Sequence, residues 1–231
     1  MSIEENMEMR RHSLAHLMAA SIQELYPEAK FGVGPVIEDG FYYDVHLEKS
    51  LTPEDLEKIE RIMRQKVSQK LAFERIELPI DEAIEKFRSM SQEYKVELLK
   101  DLKSRGTTAV ADLEDENLVE GNIDIVSIYK TGDFVDLCRG PHINNSGQIR
   151  PDAFKLSRVS GAYWRGDQAR DQLQRIYGVA FESKKELKQH FTRMEEAKKR
   201  DHRKLGVDLD LFSVHPETVG GGLVLWHPKG G

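Results

Sequence analysis

Two pairs of residues in this chain have the types and spacing to do chemistry. His12 and His16 stand four residues apart, and so do Cys138 and His142 in the stretch Asp136-Leu-Cys-Arg-Gly-Pro-His142. On a helix a spacing of four stacks side chains on one face, with Cβ atoms roughly 5–6 Å apart. Two imidazoles that close can share a water, a metal or a proton. The expectation is that the fold joins both pairs in one hydrolytic pocket.

Three imidazoles and a thiol form the ligand set of a tetrahedral zinc site. A metal-free pocket is the competing reading. There a neutral histidine serves as general base for water, because its ordinary pKa lies near working pH. The thiol and Asp136 would then orient water or substrate. A cysteine beside histidines can also be a nucleophile, but the sequence shows no oxyanion hole and no third orienting partner. Lys95 could set a positive charge near a developing oxyanion, although a lone lysine is ordinarily a surface residue. The reading without catalysis is a structural zinc knot or a core cluster.

Several elements must position these groups. Residues 8–25 read as an amphipathic helix with Leu14, Leu17, Met18, Ile22 and Leu25 at helical spacing, ended by Pro27. The two histidines lie one residue off that stripe. Lys30 to Val45 has strand character, with a hairpin turn at Asp39-Gly40 between Val36-Ile37 and Phe41-Tyr-Tyr-Asp-Val45. Its aromatics and glycines could wall a pocket. Leu51 to Leu71 reads as a helix with Thr52 as N-cap, Pro53 at N1 and Asp55 in the capping-box position. Glu74 to Leu78 reads as a strand, and Asp81 as the cap of a short helix through Phe87. Arg105-Gly-Thr-Thr is a loop, and Asp112 to Glu120 is acidic and loop-like. Ile123, Ile125 and Ile128 mark a strand into Tyr129-Lys130. In Asp133 to Cys138, strand alternation turns Asp136 and Cys138 the same way. Gly140-Pro141 forbids a helix, so His142 leaves that strand on a loop. Leu173 to Phe181 reads as a buried strand, and Lys184 to Lys204 as a long basic connector helix. The end, Phe212 to Gly231, turns glycine-rich and apolar.

The chain has 231 residues, 39% hydrophobic and 32% charged, which suits a soluble globular protein of one or two domains. A net charge of −6 means that any nucleic-acid contact must come from a local basic surface. One cysteine excludes an internal disulfide and fits a reducing cytosol. No secretory signal is visible, and no apolar run approaches the roughly 18 residues that span a bilayer.

Together, His12-Ser-Leu-Ala-His16, Gly34-Pro-Val-Ile-Glu-Asp-Gly-Phe-Tyr-Tyr-Asp44, Tyr94-Lys95-Val, Asp136-Leu-Cys-Arg-Gly-Pro-His142, Gly161-Ala-Tyr-Trp-Arg-Gly-Asp167 and Leu173-Gln-Arg-Ile-Tyr-Gly178 resemble the bacterial threonyl-tRNA synthetase family. So does Ala197-Lys-Lys-Arg-Asp-His-Arg-Lys204. The resemblance implies an α+β fold, a mainly antiparallel sheet packed with helices and followed by a long linker helix. Residues 1–181 would be the editing domain shared with alanyl-tRNA synthetase, 182–206 the basic linker helix, and 207–231 the start of a class II catalytic domain. It implies a fragment without the ubiquitin-like, aminoacylation and anticodon-binding domains, unable to charge tRNA, with the ATP site and a threonine-activating zinc elsewhere in the family's chain. The implied activity is cytoplasmic editing. Water attacks the ester of seryl-tRNA(Thr), because one missing methyl costs a binding pocket only about 1–3 kcal/mol, too little for fidelity. The implied partner is the acceptor end of tRNA(Thr) mischarged with serine, with no DNA and no membrane, in a family that is homodimeric. By resemblance His12 and Cys138 form the central catalytic pair, and His142, His16, Asp136 and Lys95 position water, the substrate amine and the terminal ribose. The expectation is no tightly bound metal, although zinc could sit on His12, His16, Cys138 and His142. Two alternatives stand beside it. One is a zinc-dependent deacylase of the alanyl type. The other is a non-catalytic tRNA-binding module using Lys184 to Lys204 with Arg139, Arg158 and Arg165.

Overall fold

The first helix, α1 (Ile3–Leu25), is the element on which the others pack. From Ser13 to Ile22 every residue is buried, the polar Ser13, His16 and Ser21 included. The sequence predicts one buried face over 8–25. The helix instead starts five residues earlier and is enclosed on all sides over these turns. Small residues (Ala15, Ala19 and Ala20) let neighbours approach where an amphipathic helix would meet water. The structure, a computed structural model, describes residues 3–106, 124–200, 205–206, 208–214 and 224–229. The predicted loop after Gly106, the acidic run 112–120, Ile123, the last residues of the basic helix and most of the glycine-rich end lie outside these.

The fold is α+β, with antiparallel sheets and five α-helices among the described residues. The short strands β1 (Lys30–Phe31) and β2 (Val36–Ile37) both pair with β3 (Gly40–His46). The chain then enters α2 (Pro53–Ser68), β4 (Glu74–Pro79), α3 (Ile80–Ser89) and α4 (Glu93–Arg105). Strands β5 (Ile125–Thr131) and β6 (Phe134–Leu137) follow, then β7 (Phe154–Tyr163) and β8 (Gln172–Ala180). The larger sheet runs β1-β3-β8-β7 with β2 at the side of β3, and the smaller one runs β4-β5-β6. Helix α1 touches strands of both sheets, so it can carry side chains to the seam between them.

Local signals account for several boundaries. Thr52 and Asp55 close a reciprocal capping box at the start of α2, as their spacing predicts, and Ile59, Met63 and Val67 face the core. Asp81 does not cap α3. Pro79 holds that position without a side-chain hydrogen bond, and Asp81 lies in the first turn. The β2–β3 turn falls one residue earlier than predicted, at Glu38-Asp39, because Gly40 pairs with Ile37. Gly40 is needed where β3 meets β8. A Cβ there would stand 2.0 Å from the Gly178 carbonyl oxygen. The 154–163 stretch, to which the sequence assigns no element, is β7, with an irregularity between Leu156 and Arg158.

The chain divides into two compact units, 1–184 and 185–231. The first contains both sheets and three apolar clusters, the largest built on α1, α2 and the inner face of the larger sheet. In the second, most of α5 (Lys184–Lys199) is followed by a small hairpin of β9 (Phe212–Val214) and β10 (Val224–Trp226). There the Phe212 and Trp226 rings meet edge to face at 5.5 Å.

Candidate active site

The two pairs meet. Cys138 Sγ lies 3.3 Å from His12 Nε2 and 3.3 Å from His142 Nε2. The His142 ring sits 4.1 Å from that of His12 and 4.2 Å from that of His16, centroid to centroid. One helix thus presents two imidazoles to a loop that carries the thiol and the third. The loop begins where β6 ends, at Leu137. Its first backbone N–H, that of Cys138, still bonds to the Ser127 carbonyl, and the Ser127 hydroxyl donates to the Cys138 carbonyl at 2.7 Å. These two bonds fix the thiol against β5.

Gly140 turns the loop with φ +80°, in the left-handed region that suits glycine, and its N–H donates to Cys138 Sγ at 3.2 Å. A Cβ there would stand 2.3 Å from the Tyr129 hydroxyl. His12 Nδ1 is 3.2 Å from the Pro141 carbonyl. A carbonyl only accepts, so Nδ1 carries the proton and Nε2 turns its lone pair towards Cys138. His142 Nδ1 is 3.0 Å from the Ser13 hydroxyl, and Phe73 stacks on the His142 ring at 5.2 Å.

Behind the imidazoles lies a charged floor. His16 (2% exposed) has Nε2 3.4 Å from Asp136 Oδ2. Asp136 also forms a buried ion pair with Lys95 (3% exposed) and accepts the Tyr43 hydroxyl proton. Lys95 donates to the Tyr43 hydroxyl oxygen at 3.0 Å. Lys95 is therefore committed to Asp136 and Tyr43. The two charges cancel locally, the arrangement in which buried charges are tolerated.

Burial tunes the titratable groups. It lowers His12 below its ordinary pKa and His16 well below, where positive Lys95 and neighbouring His12 add to desolvation. His142 is lowered too, first by burial and then by the other two histidines. The Cys138 thiol is pushed up to about 12 by burial, with the Asp136 charge adding to it. At neutral pH the site holds neutral imidazoles and a protonated thiol.

Sequence reasoning placed the four histidine and cysteine residues, Asp136 and Lys95, and all six come together here. It missed Ser13, Tyr43 as a partner of Asp136, and the aromatic walls Phe73 and Tyr129. Tyr43 was within reach of the alternation rule, since Phe41, Tyr43 and Val45 share the buried face of β3.

The donor atoms of His12, His16, Cys138 and His142 all lie within 4.8 Å of one another, so this cluster can hold a metal ion. The set suits zinc, whose bonds of about 2.0–2.3 Å place tetrahedral donors somewhat under 4 Å apart. His16 Nδ1 is buried without a hydrogen-bond partner.

Residues 126–177 match the family described as threonyl and alanyl tRNA synthetase second additional domain. The match includes Asp136, Cys138 and His142, whereas His12, His16 and Lys95 come from outside it. Nearly the whole chain is also similar to threonine--tRNA ligases. It is 52% identical over 226 residues to that of Geobacter sp. (strain M21), 98% of this chain and 32% of the ligase. Citrifermentans bemidjiense gives the same identity and coverage, and Maridesulfovibrio salexigens 50% over the same length. The chain spans about a third of the length of these relatives.

Proposed function

We propose that the chain is the editing part of a threonine--tRNA ligase and hydrolyses the ester of tRNA(Thr) mischarged with serine. The observation that carries this reading is the lone pair of His12 Nε2 facing Cys138 Sγ at 3.3 Å, in a pocket whose thiol is protonated. With the Cys138 thiol turned off His12 Nε2 and towards the entering water or substrate, His12 takes a proton from water as the water oxygen bonds to the ester carbonyl carbon. The tetrahedral intermediate collapses, the carbon–oxygen bond to the terminal ribose breaks, and the proton on His12 passes to the leaving hydroxyl. Serine and free tRNA result. Cys138, protonated, acts as a hydrogen-bond donor and not as a nucleophile. His16, Asp136, Lys95 and Tyr43 hold the floor on which the substrate amine and ribose rest. On this reading 1–181 is the editing domain, 182–206 a linker and 207–231 the entry to the ligase domain.

The test is deacylation of seryl- and threonyl-tRNA(Thr) by the purified chain. Cleavage of the seryl ester, sparing of the threonyl ester, and loss of activity in His12→Ala and Cys138→Ala are expected. Equal hydrolysis of both esters removes the discrimination, and tRNA binding without cleavage leaves a binding module.

The four-donor cluster and the unpartnered His16 Nδ1 favour a second reading, a zinc-dependent deacylase. Zinc, when bound, would polarise the ester or acidify water. Elemental analysis decides. One zinc per chain, with activity lost to a chelator and restored by zinc, selects the second reading.

A further inference from the structure

Ser13 has no place in the scheme above, yet it is fully buried and touches both the loop and His142. Its hydroxyl oxygen accepts the Ile143 backbone N–H at 3.2 Å and stands 3.0 Å from His142 Nδ1. The hydroxyl proton must go somewhere, because a buried O–H without an acceptor is rare. Serines in helices commonly donate to the carbonyl four residues back. Ser21 in the same helix does so, donating to Leu17 at 2.6 Å. Ser13 makes no such bond among the described residues, and its remaining neighbour with a lone pair to offer is His142 Nδ1.

We propose that Ser13 is a positioning residue that donates to His142 Nδ1 and so holds His142 with its proton on Nε2. The hydrogen bonds then run in a single direction. The Ile143 N–H donates to Ser13, Ser13 to His142 Nδ1, His142 Nε2–H to Cys138 Sγ, the Cys138 thiol to His12 Nε2, and His12 Nδ1–H to the Pro141 carbonyl. The run starts and ends on the two backbone groups that flank His142. Its polarity separates two imidazoles that distance alone leaves equivalent, both being 3.3 Å from the thiol. His142 becomes a donor, and His12 keeps the lone pair that faces the thiol. Without Ser13, His142 is free to take either tautomer, and the thiol proton can turn to it instead of to His12. The kinetic part of this inference rests on the hydrolase reading, and the tautomer does not.

The test uses the full chain, labelled with 15N-histidine and stripped of metal by a chelator. Long-range 1H–15N correlations report which nitrogen of His142 carries the proton. The wild type is expected to show Nε2–H and Ser13→Ala a mixture. In Ser13→Ala, kcat for seryl-ester cleavage should fall roughly 10–100-fold with KM unchanged, the scale known for losing a hydrogen-bond partner that orients a metal-ligating histidine. Ser13→Thr, which keeps the hydroxyl, should restore both the tautomer and kcat. Wild-type His142 in the Nδ1–H form overturns the proposal whatever the variants do. So does a Ser13→Ala protein with unaltered tautomer and kcat. If the wild type cleaves no ester, the hydrolase reading fails and the spectra still decide the role of Ser13.

Discussion

Three neutral imidazoles, His16 buried and His12 and His142 half-buried, should make the protein sensitive to acid. His12, His16 and His142 all have folded-state pKa values below the ordinary 6.5. In the unfolded chain they bind protons as pH falls through 6.5, and in the folded chain they resist. The unfolded state therefore binds more protons, and stability declines as pH drops below 6.5, by up to about 1.4 kcal/mol per pH unit for each histidine. Thermal melts between pH 8 and 5 should show a midpoint steady above 7 and falling below 6.5. Replacing buried His16 with Asn should make that decline shallower. The Cys138 thiol predicts the opposite insensitivity. With its pKa pushed up to about 12, it should alkylate with iodoacetamide far more slowly than free cysteine at pH 8. A fast reaction would restore covalent catalysis as a candidate. Lys95 and Asp136 form the costliest pair to break. Lys95→Met leaves a buried carboxylate facing Tyr43 and His16, and should destabilise by about 3–5 kcal/mol in urea unfolding. Adding Asp136→Asn should recover part of that loss.

Among the elements, those set by neighbours in sequence were readable, and those set by distant packing were not. The capping box of α2 needs only Thr52 and Asp55, three residues apart. Thr52→Ala should cost about 1 kcal/mol, read as a lower urea midpoint at constant slope. The enclosure of α1 from Ser13 to Ile22 depends on packing against α2 and strands of both sheets, so its own residues suggest a wet face that these turns do not have. Strand β7 hid for a different reason. Its middle is largely exposed and its pairing slips between Leu156 and Arg158, which erases the alternation that marks a half-buried strand. Spacing identified the two halves of the site, and residue chemistry suggested that they meet. Ser13 was invisible because its role lies in contacts with His142 and Ile143 across the fold. The close passage of β3 against β8 offers a sharp test at this scale. Gly40→Ala drives a Cβ to 2.0 Å from a backbone oxygen and should lower stability by at least about 2 kcal/mol, visible as loss of soluble protein or of the thermal transition.

At the scale of the whole molecule, the pocket and the three apolar clusters lie within residues 1–184. A chain ending at Lys184 is expected to fold with the melting midpoint of the full chain and, on the hydrolase reading, to keep the cleavage activity of the full chain. The family match covers only the later half of the pocket, and the earlier half rides on α1. Cys138 stands 126 residues after His12. A ribosome adding about 5–20 residues per second needs roughly 6–25 s to travel from one to the other. Through that interval α1, whose turns from Ser13 to Ile22 are buried in the finished fold, has α2 and β3 to pack on but still lacks β8. On the proposed reading, no water-activating site can exist on the nascent chain until Cys138 and His142 have been made.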